Sequence, residues 1–318
     1  MTMLAHDATP RTAPTRTASG IGFALVAALS FGLSGSIARS LLDLGWSSGA
    51  ATLARVTVGT VAMAIPGVMA LKGRWRAVWN AWPLILVYGV LAVAGAQFCY
   101  FTAIRYLDVS LALLIEYTSP IAVGVWMWLR HGHRPTRLTV LGAAIAASGL
   151  LLLLDVLSSG HVNFVGVAWA ATAMIGAAVY FVVGADESLG LPPIALAATG
   201  LAIASIFLGL AGVAGLMPMR FTSGNVHLAG ANVPWWVATL ALGGICAALA
   251  YSTGIAATRR LGARLGSFVS LTEVLAAAAF AWVLLGQAPH AVQYAGAALV
   301  LTGVVTVKLG ESSVREEG

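Results

Sequence analysis

Residues 109–129, between Asp108 and Arg130, contain a single side chain of the charged type, Glu116. An apolar run of that length crosses a bilayer as one helix. A carboxylate near mid-membrane is costly and faces a bundle interior or a water-filled cavity. Pro120 follows four residues later. It lacks an N–H, and its ring crowds the carbonyl of residue 116. The helix is therefore expected to break where its one charge sits, with the freed backbone facing protein or water. A proline-kinked packing helix with a neutral Glu116 fits the same residues. A substrate path lined by Glu116–Pro120 is the sharper reading.

Nine further apolar segments accompany this one. The ten run over 21–41, 48–71, 82–106, 108–129, 138–157, 164–185, 192–215, 235–258, 264–285 and 290–309. Charged residues make up 9% of the chain, against about 25% in soluble domains. Soluble folds are thereby excluded, and an all-α polytopic membrane protein with ten transmembrane helices is expected. Residues 1–20 read as a disordered cytoplasmic tail and 310–318 as a second cytoplasmic tail. The third and fourth segments join through Tyr106–Leu107–Asp108 in a tight hairpin. Cys99 and Cys246 fall inside apolar segments and read as packing residues rather than a disulfide framework.

The basic residues set the orientation. With the N-terminus in the cytoplasm, Arg11, Arg16, Lys72, Arg74, Arg76, Arg130, Arg134, Arg137, Arg259, Arg260, Arg264, Lys308 and Arg315 fall inside, and Arg39, Arg105 and Arg220 outside. That asymmetry predicts a multi-pass plasma (inner) membrane protein with both termini cytoplasmic. The basic residues are spread over short loops, so no nucleic-acid partner is expected. Arg55 is left over inside a span. Tryptophans such as Trp75, Trp79, Trp82, Trp126 and Trp128 lie at or near segment ends, as an interfacial belt requires.

The chain repeats internally. Residues 82–149 lie over 236–303 without gaps, at a constant offset of 154 residues. Trp82/Trp236, Gly89/Gly243, Arg105/Arg259, Thr118/Thr272, Trp128/Trp282, Gly132/Gly286, Gly142/Gly296 and Gly149/Gly303 are identical pairs. Upstream, Gly22/Gly166 and Gly32/Gly176 match at an offset of 144 residues. The chain thus reads as two five-helix repeats, 21–157 and 164–309. Five is odd, so the second repeat must be inverted in the membrane. Inverted repeats around a midplane site are the plan of many secondary transporters. Gly142 and Gly149 share one helix face, as do Gly296 and Gly303, and read as sites of close helix approach.

Few polar groups lie deep in the spans. Arg55 and Glu116 sit at equal depth below the outer surface, which makes them a candidate pair. Gln97 and Tyr100 of the third helix share that level, and the first helix adds Ser34 and Ser36. The second half carries Ser270, Thr272 and Glu273 on its fourth helix, with Tyr180 and Tyr251 on neighbours. Ala112, Glu116, Ser119 and Val123 form one helix face, and Gly266, Ser270, Glu273 and Ala277 form another. Repeat symmetry sets these two stripes opposite one another. The candidate substrate or coupling residues are thus Arg55, Gln97, Tyr100, Glu116, Tyr117, Ser119, Pro120, Tyr180, Tyr251, Ser270, Thr272 and Glu273. Glu273 has no evident cation at its depth and is the expected proton or cation carrier. Glu116 is expected to orient substrate beside Arg55. For the individual tyrosines and serines, ordinary interhelical hydrogen bonding is the competing reading.

The doubled ten-helix plan, the Arg55-bearing second helix, the stretch Leu114–Ile115–Glu116–Tyr117–Thr118–Ser119–Pro120 and the paired glycines resemble the EamA family of the drug/metabolite transporter superfamily. Within it, Glu-Tyr-Thr-Ser-Pro is most like the threonine/homoserine exporter branch. The second repeat departs from the pattern, with Glu273–Val274 where the family often has Glu-Pro. The resemblance implies an inner-membrane carrier that exports amino acids or related metabolites.

The function expected is secondary transport of a small metabolite by alternating access, with proton coupling as one driving force. Efflux of cationic drugs and a non-transporting scaffold stay open as alternatives. No Walker A motif, His-Glu-x-x-His, Gly-x-Ser-x-Gly or mid-span aspartate pair is present, so neither ATP coupling, an enzyme, a metal nor a cofactor is expected. The partners expected are the metabolite and the lipid bilayer, with a homodimer left open.

Overall fold

The computed structural model describes residues 13–103, 106–107, 109–132, 135–154, 163–286, 288 and 290–316. Arg11, Arg105, Asp108 and Arg134 lie outside them. The first two spans are α1 (Ala13–Asp43) and α2 (Ser48–Leu71), followed by a short α3 (Trp75–Asn80). The third span joins α4 (Trp82–Val87), a π-helical stretch Tyr88–Gly95 and α5 (Ala96–Ala103). The fourth joins α6 (Val109–Glu116) and α7 (Ser119–His131), and the fifth is α8 (Arg137–Leu153). In the second half, α9 (Phe164–Ala185) and α10 (Pro193–Val213) precede a hairpin of β1 (Asn225–Leu228) and β2 (Ala231–Pro234). The eighth span joins α11 (Trp235–Gly243), a π-helical Gly244–Leu249 and α12 (Ala250–Leu261). The ninth joins α13 (Ala263–Ser270) and α14 (Thr272–Leu285), and the tenth is α15 (Ala291–Glu316). Among the described residues 9 of these spans are long and apolar enough to cross a membrane, and α8 is the shorter tenth.

Local chemistry sets several ends. Ser47 caps α2 by accepting from the Ala50 N–H at 3.2 Å, and Thr136 caps α8 by accepting from Thr139 at 3.0 Å. The repeat mates Gly132 and Gly286 end α7 and α14, both at φ 71°. That left-handed conformation costs glycine nothing. Two ends differ from expectation. α1 already runs from Ala13, inside the stretch read as a tail, and α15 continues to Glu316. Hydropathy marks where a helix crosses lipid, whereas a formed helix propagates into polar sequence at little cost.

Outward faces are apolar, as with Val61, Ile65 and Met69 on α2, all exposed. Such a surface suits lipid and not water. Inside, the two repeats interleave. α1 packs on α12 and α14 of the other half, and its mate α9 packs on α5, α6 and α7 of the first. α2 meets its mate α10, and α8 meets its mate α15. Exchanging the halves maps this pattern onto itself. The α8–α15 seam is backbone on backbone. A Cβ on Gly149 would stand 2.7 Å from the Gly296 carbonyl, and one on Gly303 2.7 Å from the Gly142 carbonyl. The paired glycines are the packing positions their spacing implied.

The β-hairpin adds to the all-helical expectation. Its turn residues Ala229 and Gly230 have φ 53° and 76°, the double positive φ of a tight two-residue turn. Val226 is buried, and the Ala229 N–H bonds the Leu284 carbonyl at 2.9 Å. The preceding loop is tied down by Trp46, whose Nε1 donates to the Thr222 carbonyl at 2.6 Å.

Candidate functional site

The break expected at Glu116 is present, and its repeat mate is broken too. α6 ends at Glu116 and α7 begins at Ser119; α13 ends at Ser270 and α14 begins at Thr272. In the first break the Thr118 N–H reaches the Ile115 carbonyl at 3.1 Å and Ile121 reaches Thr118 at 2.9 Å. In the second, Leu271 reaches Phe268 at 3.1 Å and Val274 reaches Leu271 at 3.2 Å. All four are tight i→i−3 contacts. Thr118 and Thr272 reinforce them equally, donating Oγ1 to the Ile115 and Val269 carbonyls at 2.6 and 2.8 Å. Pro120 removes the donor that would serve the Glu116 carbonyl. Val274 has an N–H, but spends it on Leu271. The second break thus forms without a proline.

Between the breaks lies a cavity of about 600 Å³. α1 runs along it, contributing Phe31, Ser34, Ser36 and Arg39 among smaller residues. Of the residues singled out in the sequence, Arg55, Gln97, Tyr100, Glu116, Tyr117, Ser119, Tyr180, Tyr251, Ser270 and Glu273 line it. Pro120 and Thr272 do not. Their part is in the backbone of the breaks, the one through a missing N–H and the other through a hydroxyl bonded to its own helix. Gln97 and Tyr251 are repeat mates, as are Glu116 and Ser270, and Ser119 and Glu273.

Arg55 departs from expectation. It is buried, and its guanidinium donates to Gln97 Oε1 at 3.2 Å and to the Cys246 carbonyl at 2.7 Å. That carbonyl belongs to the π-helical stretch of the eighth span. Among the described residues the ion pairs are Arg16–Glu187 and Arg39–Asp43, so Arg55 and Glu116 share a cavity but not a salt bridge. Its two acceptors lie one in each half, Gln97 on α5 and Cys246 on the eighth span, and neither is Glu116. Glu273 lines the same cavity as Arg55, again with no salt bridge between them among the described residues. Tyr117 and Glu273 line the cavity together.

An aromatic wall closes one side. Phe31 meets Tyr251 edge-on at 5.1 Å and lies 5.8 Å from the Arg55 guanidinium carbon, a cation–π geometry. Tyr180 meets Tyr251 at 5.7 Å and Tyr88 at 6.1 Å. Phe31 and Gly254 were not singled out in the sequence. A Cβ on Gly254 would stand 1.9 Å from the Tyr180 hydroxyl oxygen, so that tyrosine rotamer exists only opposite glycine. The available signal was weak: Gly254 is the repeat mate of Tyr100, a candidate residue, and Phe31 directly precedes the repeated Gly32.

Two interleaved five-helix repeats, each broken at its fourth helix around a polar cavity, are the plan of polytopic membrane carriers. The chain belongs to the EamA-like transporter family, whose model matches residues 18–155 and again 164–309. These two matches coincide with the two repeats. The chain is similar to the threonine/homoserine exporter RhtA of Salmonella typhimurium (strain SL1344), with 27% identity over 301 residues, 92% of this chain and 91% of the relative. The RhtA protein of Escherichia coli (strain K12) matches at the same 27% over the same shares. One solved crystal structure superposes with a TM-score of 0.71 over 93% of this chain and 97% of that one, at 20% identity. That likeness concerns the fold.

Proposed function

We propose that this chain is a secondary exporter of amino acids or closely related metabolites, working by alternating access. The observation that carries the reading is the cavity at the two helix breaks, where one buried guanidinium and two carboxylates face the same space. A zwitterion suits this arrangement. Its carboxylate finds Arg55, its ammonium finds Glu116 or Glu273, and its small side chain finds the aromatic wall. The similarity to threonine/homoserine exporters supports the same substrate class.

The geometry fits an outward-facing state. The lining reaches Arg39 and Leu42 at the outer end of α1 and stops near Ala24 and Thr258 toward the inner end. Beyond that point Arg16 bonds Glu187 at 2.6 Å, and Arg259 donates to the Gly184 carbonyl at 3.3 Å and to the Leu191 carbonyl. These contacts join α1, α9 and α12 across the inner end. We assign proton coupling to Glu273, beside Tyr117, and substrate orientation to Glu116 with Arg55. Counterflow in proteoliposomes with labelled threonine or homoserine tests the function. Saturable exchange of an amino acid is expected. Exchange of lipophilic cations with none of any amino acid would replace this reading with drug efflux.

A further inference from the structure

At the end of the bundle opposite the Arg39–Asp43 pair, a second recess of about 600 Å³ gathers four guanidinium groups. Arg16 comes from the start of α1, Arg74 from the turn before α3, and Arg259 and Arg260 from the end of α12. Glu187 lines the same recess, with Asp186 before it in the chain. Four cations therefore meet two carboxylates, an excess of two positive charges. Both carboxylates are engaged, Glu187 with Arg16 at 2.6 Å and Asp186 with the Ser188 N–H at 2.8 Å.

The other three arginines hold backbone oxygens. Arg74 reaches the Leu71 carbonyl at 3.4 Å, Arg260 reaches Ala256 at 2.9 Å, and Arg259 reaches Gly184 and Leu191. One terminal nitrogen of Arg259, Nη2, is buried without a partner. A buried charged donor with no acceptor is costly. The recess that Arg259 lines carries excess positive charge, which an anion that enters would offset.

We propose that this recess binds the phosphate of an anionic phospholipid head group. Guanidinium groups match phosphate oxygens in paired, charge-assisted hydrogen bonds. The location argues for lipid. Trp75 and Trp79, both exposed, sit on α3 directly after Arg74, and exposed tryptophans mark head-group depth. Arg260 lies 4.5 Å over the Phe23 ring, which anchors it at the wall of the recess. The basic residues assign this end to the cytoplasmic side, where the leaflet is anionic. Basic recesses between helices on that side are suited to lipid head groups.

Free phosphate offers the same oxygens, and the test separates the two sources. The full chain in detergent is titrated with phosphatidylglycerol, phosphatidylcholine or inorganic phosphate, with retained ligand read by native mass spectrometry and thermal unfolding. Retention of phosphatidylglycerol over phosphatidylcholine is expected, undisturbed by inorganic phosphate at the same concentration. Arg74 is exposed and bonds one carbonyl, so Arg74→Gln and Arg74→Glu leave the fold intact. Arg74→Gln should lower phosphatidylglycerol affinity about fivefold, and Arg74→Glu further. Equal retention of the two lipids, or unchanged affinity in both variants, overturns the proposal. Binding of inorganic phosphate without a preference for phosphatidylglycerol overturns it as well. The readout is binding, so a failure of the export reading leaves it standing.

Discussion

Glu116 and Glu273 are not repeat mates: Glu116 matches Ser270, and Glu273 matches Ser119, across the offset of 154 residues. Each helix break therefore carries one carboxylate and one serine, in opposite order. Glu116 is the last residue of α6, and Glu273 the second of α14. Two carboxylates so placed face the cavity from different sides of their breaks and have no symmetry reason to do the same work.

Their glutamine variants should separate. Glu273→Gln should abolish acceleration of export by external acid while leaving counterflow measurable, because glutamine keeps the shape but does not titrate. The sign is that of proton uptake from outside: wild-type export rises as external pH falls, and the variant stays flat. Glu116→Gln should weaken substrate binding at every pH. Gradient-driven transport by Glu273→Gln at the wild-type rate would remove the proton role from that residue.

Arg55 holds two acceptors on two other spans, Gln97 at 3.2 Å and the Cys246 carbonyl at 2.7 Å. A lysine has one nitrogen head and cannot reproduce a planar fork. Arg55→Lys should raise the KM for amino-acid counterflow by about tenfold or more, from a charged hydrogen bond of about 1.5–3 kcal/mol. Gln97→Ala, which leaves the Cys246 contact, should cost less. Identical kinetics in Arg55→Lys and wild type would make the residue a packing element.

Gly254 and Tyr180 can be tested as a pair. A Cβ at 254 meets the Tyr180 oxygen at 1.9 Å, so Gly254→Ala should destabilise by about 1–3 kcal/mol through overpacking. Adding Tyr180→Phe removes the clashing atom and should restore most of the unfolding temperature. A double variant no better than Gly254→Ala would place the clash elsewhere.

The α8–α15 seam predicts a contrast between glycines. At Gly149 a Cβ would lie 2.6 Å from the Val300 nitrogen, whereas at Gly124 it would meet nothing within 4 Å. Gly149→Ala should lower the unfolding temperature in detergent, because backbone cannot move aside as a side chain can. Gly124→Ala should raise it, by up to about 1 kcal/mol of helix propensity. Equal responses would mean that the seam tolerates separation.

Orientation has its own check. A reporter fused in residues 216–234 should read outside, and one in residues 131–137 inside, as the basic asymmetry requires. Both on one side would undo the inverted arrangement.

The spans, the doubling and the first helix break are legible in the chain read alone. In a bilayer these are local matters. Apolar length makes a helix because lipid offers no partner to free backbone, and Pro120 removes a donor wherever its helix lies. The glycine seam was legible for a similar reason, since seven-residue spacing alone sets one face. The second break is not legible there, because Val274 can donate to Ser270 or to Leu271, and the packing of α13 and α14 selects. Nor are the partners of Arg55, which lie 42 and 191 residues away on other spans. Which group a long side chain meets depends on the rotation and crossing of whole helices. Those follow from how two halves interlock, a property of the assembled bundle and of no single stretch of chain.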